Sequence, residues 1–333
     1  SLWTEKHNST EGWNIYMTTK PYRHVIPPDI LALSHERDLL RRRGQYDRAD
    51  ALKRQIEEAG YAIKDNPHGA HLIILPSIEM NGTVYRTARQ LPSLLDEADT
   101  CMFSVNILAH NTFEQTRRCL ESVLHYGAGE DIEIILVDNA SDDGFSIWAE
   151  ALQYQDARVH VLRTTRTMGE AEARNIGLKQ SRGRYILLLD CSVELAGDVF
   201  TPIAKTLADS EVGITGLHGL HTDDLRHFEE SQQLEVEAVD KLCMAFRRKL
   251  LKKVGFFDER YRYPYFMDID FNFAVRDTGV GTVLTPDLPV TCYPVLQDAG
   301  RSDAERMRLN KRNFYRFLEK WGDRDDLLSG EED

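Results

Sequence analysis

The sequence has little positive charge relative to its negative charge. It contains 41 Lys and Arg residues against 54 Asp and Glu residues, which gives a formal net charge of -13. A protein whose main ligand is nucleic acid or an anionic membrane needs a basic surface, so this balance argues against both classes. No apolar run approaches the ~20 residues that span a bilayer, and the first residues show no signal-peptide pattern. We therefore expect a cytoplasmic protein without a transmembrane segment.

Cysteine pairs and the glycine-rich dinucleotide motif are also missing. An odd count of dispersed cysteines without a Cys-x-x-Cys pair argues against a disulfide framework and predicts reduced, buried thiols. No apolar run is followed by Gly-x-Gly-x-x-Gly, which argues against a dinucleotide-dependent dehydrogenase. The cysteines are Cys101, Cys119, Cys191, Cys243 and Cys292.

Short apolar runs alternate with helical patterns in the middle of the chain. The runs cover residues 102–109, 132–137 and 183–190. Such alternation is typical of a parallel sheet that helices cover on both faces. The sequence therefore predicts an α/β fold with a mixed, mostly parallel sheet.

Polar side chains stand where these predicted strands end. Asn111, Asp138 and Asp190 each follow an apolar run. Ligands of open parallel sheets bind at the carboxyl ends of the strands. We therefore expect these side chains to form one binding site.

The N-terminal part of the chain predicts a small accessory domain over residues 31–95, preceded by an arm over residues 1–30. Ser34 is placed to cap a first helix, and Tyr46–Ala59 has the period of a second helix that stops at Gly60. Asn81-Gly82 is a strong β-hairpin signal between apolar segments at residues 72–75 and 82–87. We expect this hairpin to complete the accessory domain.

Residues 47–60 and 63–69 of this domain look like the C-terminal tail of cysteinyl-tRNA synthetases. No HIGH-like or KMSKS-like motif accompanies them, so the resemblance implies a borrowed helical module. It implies either RNA contact through basic side chains or a solvated basic helix face, the more usual role of such charge runs. The basic side chains are Arg37, Arg41, Arg42 and Arg43.

Motifs follow in a fixed order through the rest of the chain. They are Ser104–Asn111, Arg117–Ser122, Glu133–Gly144, Gly169–Leu178, Gly183–Asp190, Phe246–Arg248, Val254–Glu259 and Asp268–Asp270. In this order and spacing they resemble family 2 glycosyltransferases of the GT-A fold, over about residues 102–322. The resemblance implies a glycosyltransferase domain at residues 100–322, followed by an acidic tail at 323–333.

The resemblance also implies roles for single residues. Asp138 would meet the nucleobase or ribose of a nucleotide-sugar donor, with Asn111 and Asp190 in the same binding site. Arg174 would hold the nucleotide or its diphosphate with a planar fork of donors, the alternative being a surface ion pair with Glu170 or Glu172. Asp268 would be the general base that takes the proton of the acceptor hydroxyl.

The family commonly holds a divalent metal, Mn²⁺ or Mg²⁺, with an Asp-x-Asp motif that stabilises the leaving diphosphate. Here the motif reads Asp190-Cys191-Ser192, and a serine hydroxyl is a poor ligand for a hard cation. Two alternatives therefore remain. Asp190 binds a metal with Glu194 as a substitute ligand, or the transfer takes place without a metal.

Further departures surround the same predicted site. Leu108–His110 replaces Pro-Thr-Tyr, Met267 replaces the first acid of Glu-Asp-x-Asp, and Val290–Pro294 lacks the late histidine. The sequence thus predicts an inverting glycosyltransferase with an unidentified glycan, lipid-linked or protein acceptor. The alternative is a non-catalytic GT-A domain that serves as a nucleotide-, glycan- or protein-binding scaffold.

Overall fold

The computed structural model describes residues 26–66, 69–261, 263, 265–294 and 302–329. The predicted arm over 1–30 lies mostly outside these residues, as does the end of the acidic tail. The chain divides into two compact units, the first formed by Ser1–Ile56 and Ile63–Leu72 and the second by Glu57–Ala62 and Ile73–Asp333. No helix in the described part of the chain is both long and apolar enough to cross a membrane.

The first unit is built from a pair of helices and a pair of strands. Its elements are α1 (Pro28–Arg42), α2 (Tyr46–Glu58), β1 (Tyr61–Asn66) and β2 (Gly69–Ile74). The prediction that Ser34 caps the first helix is wrong. The helix begins at Pro28, where a missing N–H costs nothing in the first turn, and Ser34 is buried inside it.

One of the arginines with a possible RNA role points into the first unit. Arg37 is 3% exposed and donates to both carboxylate oxygens of Asp65, at 2.6 and 3.0 Å. This bidentate pair raises the pKa of Arg37 and ties α1 to β1. Arg41, Arg42 and Arg43 are exposed.

The second unit alternates strands and helices. Its strands are β3 (Ile78–Met80), β4 (Thr83–Tyr85), β5 (Cys101–Ala109), β6 (Ile132–Asp138), β7 (Val159–Thr164), β8 (Gly183–Asp190), β9 (Val193–Leu195), β10 (Val212–Gly216), β11 (Gly219–His221), β12 (Glu229–Ser231), β13 (Ala238–Val239), β14 (Cys243–Arg247), β15 (Gly281–Leu284) and β16 (Val290–Cys292). Its helices are α3 (Phe113–Tyr126), α4 (Phe145–Gln155), α5 (Glu170–Gln180), α6 (Phe200–Ala208), α7 (Leu251–Val254), α8 (Met267–Arg276) and α9 (Asp303–Trp321).

The main sheet has the strand order β15-β10-β14-β8-β5-β6-β7-β3-β4. Strands β8, β5, β6 and β7 run parallel, which confirms the predicted parallel core. Strand β14 is antiparallel to both of its neighbours, β8 and β10. The start of β14 therefore lies at the edge of the sheet where β5, β6 and β8 end.

The predicted hairpin forms around Asn81 and Gly82, but from a different first strand. Both residues have positive φ, 49° and 74°, as a tight hairpin turn requires. Its first strand is β3, whereas residues 72–74 belong to β2. The hairpin adds to the edge of the main sheet through β7, and not to the accessory domain as the sequence suggested.

Strand β8 shows why the sheet is covered on both faces. Leu187 and Leu189 pack in one apolar cluster with residues of α3 and α6. Ile186 and Leu188 pack in another with residues of α5 and α8. Successive side chains of a strand point to opposite faces. The apolar run Tyr185–Leu189 of β8 therefore predicted burial on both faces of the sheet.

Candidate active site

The strand register brings the predicted site residues to one edge of the main sheet. Ala109 at the end of β5 lies opposite Asp138 of β6, and Leu108 lies opposite Asp190 of β8. Asn111 follows two residues after β5, in a left-handed conformation with φ of 51°. Its side-chain oxygen accepts from the N–H of Asp142, so the turns after β5 and β6 are joined.

Asp138 is fully buried and holds the turn that follows β6. One carboxylate oxygen accepts from the N–H of Ser141 at 2.9 Å, and the other accepts from the hydroxyl of Ser146 at 2.8 Å. The guanidinium of Arg163 lies 3.8 Å away. In this conformation Asp138 shapes the turn, and each of its oxygens keeps one lone pair for a further donor.

Asp190 is 1% exposed, and its two oxygens differ. Oδ1 accepts from the backbone N–H of Ser192 at 2.9 Å and from its hydroxyl at 2.7 Å. Oδ2 is buried without a hydrogen-bond partner and lies 3.7 Å from Nη2 of Arg174. Asp190 therefore offers one unused acceptor beside a guanidinium.

Arg174 and Glu170 form a buried ion pair on α5. Nε of Arg174 donates to Oε1 of Glu170 at 3.0 Å, and the ammonium of Lys241 lies 2.5 Å from the same oxygen. Burial favours the neutral acid, but the two cations outweigh it and lower the pKa of Glu170 to about 2. The pair with Glu170 that the sequence suggested does exist, but it lies in the interior and not on the surface.

Asp268 lies in the first turn of α8 and is 6% exposed. Its carboxylate accepts from the N–H of Ile269 at 3.0 Å and from the N–H of Lys241 at 3.1 Å. Burial raises the pKa of Asp268 to about 6, although the charge of Lys241 acts in the opposite direction. A carboxylate with this pKa suits proton abstraction near neutral pH.

The residues around Asp190 do not fit a divalent metal. The hydroxyl of Ser192 donates to Asp190 and so is not turned outward as a ligand. Glu194, the possible substitute, accepts from the hydroxyl of Tyr293 at 2.8 Å. Hard cations take several oxygen ligands, and no group of three or more His, Cys, Asp or Glu side chains in the described residues could hold a metal ion.

Two members of this site escaped the sequence analysis. Lys241 precedes an apolar strand, and no local pattern distinguishes it from a surface lysine. Asn175 is 2% exposed and binds the backbone of Phe257 on the way to α8. Its position beside Arg174 in the Gly169–Leu178 motif is the signal that could have indicated it.

The fold of this chain is similar to that of two solved glycosyltransferase structures. It is similar to GalNAc-T7 with UDP, GalNAc and Mn²⁺, with a TM-score of 0.58 and 18% identity over 68% of this chain and 49% of that one. It is also similar to the mannosyltransferase PcManGT from Pyrobaculum calidifontis in complex with GDP-Man and Mn²⁺. For that structure the TM-score is 0.52 and the identity 19%, over 70% of this chain and 69% of that one. These likenesses show the GT-A fold.

Sequence comparison points the same way. The glycosyltransferase GlyG of Streptococcus pneumoniae is 36% identical over 89 residues, which are 27% of this chain and 29% of GlyG. The chain thus matches less than a third of that curated relative. The family model of glycosyl transferase family 2 matches residues 104–272, just over half of the 333 residues. The residues that it spans include Asn111, Asp138, Arg174, Asp190 and Asp268, and the chain belongs to glycosyl transferase family 2.

Proposed function

We propose that this chain transfers a sugar from a nucleotide-sugar donor to an acceptor hydroxyl with inversion at the anomeric carbon. Family membership supports the reaction class. The acceptor is a glycan, a lipid-linked sugar or a protein. Asn111, Asp138, Arg174 and Asp190 bind the donor, and Asp268 is the catalytic base.

One observation carries this proposal: Lys241 connects the proposed base to the proposed donor site. Its backbone N–H donates to Asp268, while its ammonium contacts Glu170, which in turn pairs with Arg174. A base and a leaving-group site must lie close together for in-line displacement, since the acceptor oxygen that the base deprotonates attacks the sugar carbon that the diphosphate leaves. The pKa of Asp268, about 6, fits the base role.

The chemical step follows from these roles. The acceptor oxygen forms a bond to C1 of the sugar while the bond from C1 to the phosphate oxygen breaks. The electron pair of the broken bond leaves on the nucleoside diphosphate, and the acceptor proton passes to Asp268. Because the nucleophile attacks opposite the leaving group, the configuration at C1 inverts.

The test combines donor binding with donor cleavage. Thermal unfolding is followed with UDP, GDP, dTDP, CDP and their sugars, because a ligand at a hundred times its Kd stabilises a fold by about 2.7 kcal/mol. The release of nucleoside diphosphate is then measured for the nucleotide-sugar that binds. Asp268→Asn should keep the binding and lose about 10²- to 10⁴-fold in release rate, as expected for loss of a general base.

The exposed Asp96→Asn serves as the control and should change neither binding nor release. The proposal is wrong if no nucleotide stabilises the protein, or if Asp268→Asn releases product at the wild-type rate.

The second candidate is a non-catalytic GT-A scaffold. Ser192 in the Asp-x-Asp position favours it, because the donor site lacks its second carboxylate. This candidate predicts nucleotide binding without release of nucleoside diphosphate in the same experiment. The resemblance of the N-terminal module to a synthetase tail and the cytoplasmic location remain predictions.

A further inference from the structure

The site contains buried donors that make no hydrogen bond within the described residues. Nη1 and Nη2 of Arg174 have no hydrogen-bond partner, although the residue is only 3% exposed. A buried polar group without a partner is costly, so such groups are normally satisfied by a ligand or by solvent. The guanidinium fork is suited to bidentate contact with phosphate oxygens.

Lys241 brings a second cation to the same place. Asp190 donates its backbone N–H to the carbonyl of Leu242 at 2.9 Å, so Lys241 lies beside the end of β8, in the turn just before the neighbouring strand β14. Its side chain is 12% exposed, more than the side chains of Arg174 and Glu170 at 2% and 9%. Lys241 therefore has the more exposed side chain of the two cations in this cluster.

Glu170 allows both cations to stay charged in the interior. Two buried like charges would repel each other and would be costly to desolvate, and the shared carboxylate oxygen offsets that cost. With a pKa of about 2, Glu170 is ionised at any working pH. The cations are thus fixed in position before any ligand binds.

The acceptor on the same side is Oδ2 of Asp190, which is buried, has no hydrogen-bond partner and lies 3.7 Å from Nη2 of Arg174. Guanidinium donors, an ammonium and one carboxylate acceptor together match a ligand that has both phosphate oxygens and hydroxyls. A nucleoside diphosphate has both. In contrast, a divalent cation would meet the repulsion of Arg174 and Lys241, and Oδ1 of Asp190 already accepts two hydrogen bonds from Ser192.

We infer that Lys241 and Arg174 supply the positive charge for the departing nucleoside diphosphate, so that transfer by this chain needs no divalent metal. This inference rests on the proposed function. In the step described above, the electron pair of the breaking C1–O bond leaves on the phosphate, and the two cations stabilise that charge. No further reactant is needed, because the proton goes to Asp268.

The experiment measures UDP and GDP binding by calorimetry, once with EDTA and once with Mn²⁺. The wild-type protein should bind one of them with the same Kd under both conditions. Lys241→Met should weaken binding about 10- to 100-fold, the range expected when a charge-assisted contact is lost. Lys253→Met, at an exposed lysine of α7, is the matched control and should bind like the wild type.

Two further variants guard against simple misfolding. Lys241→Arg keeps the charge and should keep metal-free binding within a few-fold. The double variant Ser192→Asp, Lys241→Met restores the second carboxylate and removes the competing cation. Its binding should recover only with Mn²⁺, and a folded double variant that ignores Mn²⁺ would contradict the inference.

The outcomes separate this inference from the proposed function. Wild-type binding that requires Mn²⁺ overturns the inference and leaves the transferase intact. Equal affinities of Lys241→Met and the wild type also overturn it. Absence of UDP and GDP binding under both conditions, together with no shift by any nucleotide above, overturns both.

Discussion

Asn175 and Phe257 exchange two hydrogen bonds in the interior. Nδ2 of Asn175 donates to the carbonyl of Phe257 at 2.9 Å, and the N–H of Phe257 donates back to Oδ1 at 3.0 Å. Asn175 follows Arg174 on α5, while Phe257 begins the segment that leads to α8. This pair therefore ties α5, which carries Arg174, to the segment that leads to Asp268 on α8.

We expect Asn175→Ala to destabilise the fold by about 2–4 kcal/mol, because both backbone groups of Phe257 would be left buried without partners. The free energy of unfolding in urea measures this loss. Asn310→Ala, at an exposed position of α9, is the control and should stay within about 0.5 kcal/mol of the wild type. An equal loss of unfolding free energy in both variants would show that the two hydrogen bonds between Asn175 and Phe257 do not stabilise the fold.

Gly177 sets how closely α5 approaches the sheet. A Cβ there would lie 2.5 Å from Oδ1 of Asn106 and 3.2 Å from Cγ2 of Val137. We expect Gly177→Ala to cost about 1–3 kcal/mol through overpacking, despite the better helix propensity of alanine. Gly129→Ala meets nothing within 4 Å and should be nearly neutral in the same thermal unfolding measurement.

The ion cluster of Glu170 predicts an acid-dependent loss of stability. Its folded pKa of about 2 lies below the ordinary 4.5, so the contribution is complete above pH 4.5 and is lost as the pH falls toward 2. Glu170→Gln removes the carboxylate that Arg174 and Lys241 share and should cost about 3–5 kcal/mol at pH 7.

The control is Glu114→Gln, which breaks an exposed pair with Arg117 and should cost less than about 1 kcal/mol. Unfolding curves between pH 2 and 7 distinguish the two variants. A wild type and a Glu170→Gln variant with parallel pH dependence would rule out Glu170 as the titrating group.

Asp268 predicts the acidic limb of the activity profile. Because its pKa is about 6, the fraction of the protein with an ionised base falls below that pH, and the transfer rate should fall tenfold per pH unit. The rate of nucleoside diphosphate release between pH 4.5 and 8 measures the limb. A flat profile across pH 6 would exclude Asp268 as the base.

The same carboxyl predicts an opposite trend in stability. Its folded pKa lies above the ordinary 3.8, so its stabilising contribution is full below pH 3.8 and is lost as the pH rises through about 6. The stability of Asp268→Asn relative to the wild type should therefore increase by about 3 kcal/mol from pH 3.5 to 8, two pKa units of difference. Urea unfolding at both pH values tests this, and a constant difference would contradict it.

The fold was predictable because its central strands are continuous apolar runs, as in most parallel sheets. The continuous apolar runs of β5, β6 and β8 have few alternatives to a two-sided sheet, and the motif order supplied the family. The sequence could not show which sheet the hairpin joins, because Asn81-Gly82 determines the turn but not the strand that pairs with the hairpin. Likewise Ser34 resembles a cap, but Pro28 starts the helix earlier and tertiary packing buries the serine.

Two kinds of signal in the sequence indicated candidate site residues: polar residues at the ends of strands, and the motif order, which indicated Arg174 and Asp268. Asp138 and Asp190 are the last residues of β6 and β8, Asn111 lies just beyond β5, and the rule of strand ends indicated all three. Lys241 precedes β14, which runs antiparallel to β8, and so reaches the same edge from the opposite direction. A search for polar residues at the carboxyl ends of strands therefore does not find Lys241, which precedes its strand.

Asp270 links α8 to the C-terminal helix α9. This carboxylate is 4% exposed and accepts from the indole N–H of Trp321 at 2.9 Å and from the ammonium of Lys320 at 3.0 Å. Both donors lie about fifty residues later in the chain. During synthesis, Asp270 therefore leaves the ribosome before Lys320 and Trp321, which donate to it in the folded protein. A nascent chain that ends before residue 320 would contain Asp138, Arg174 and Asp190 but would lack both of these donors to Asp270.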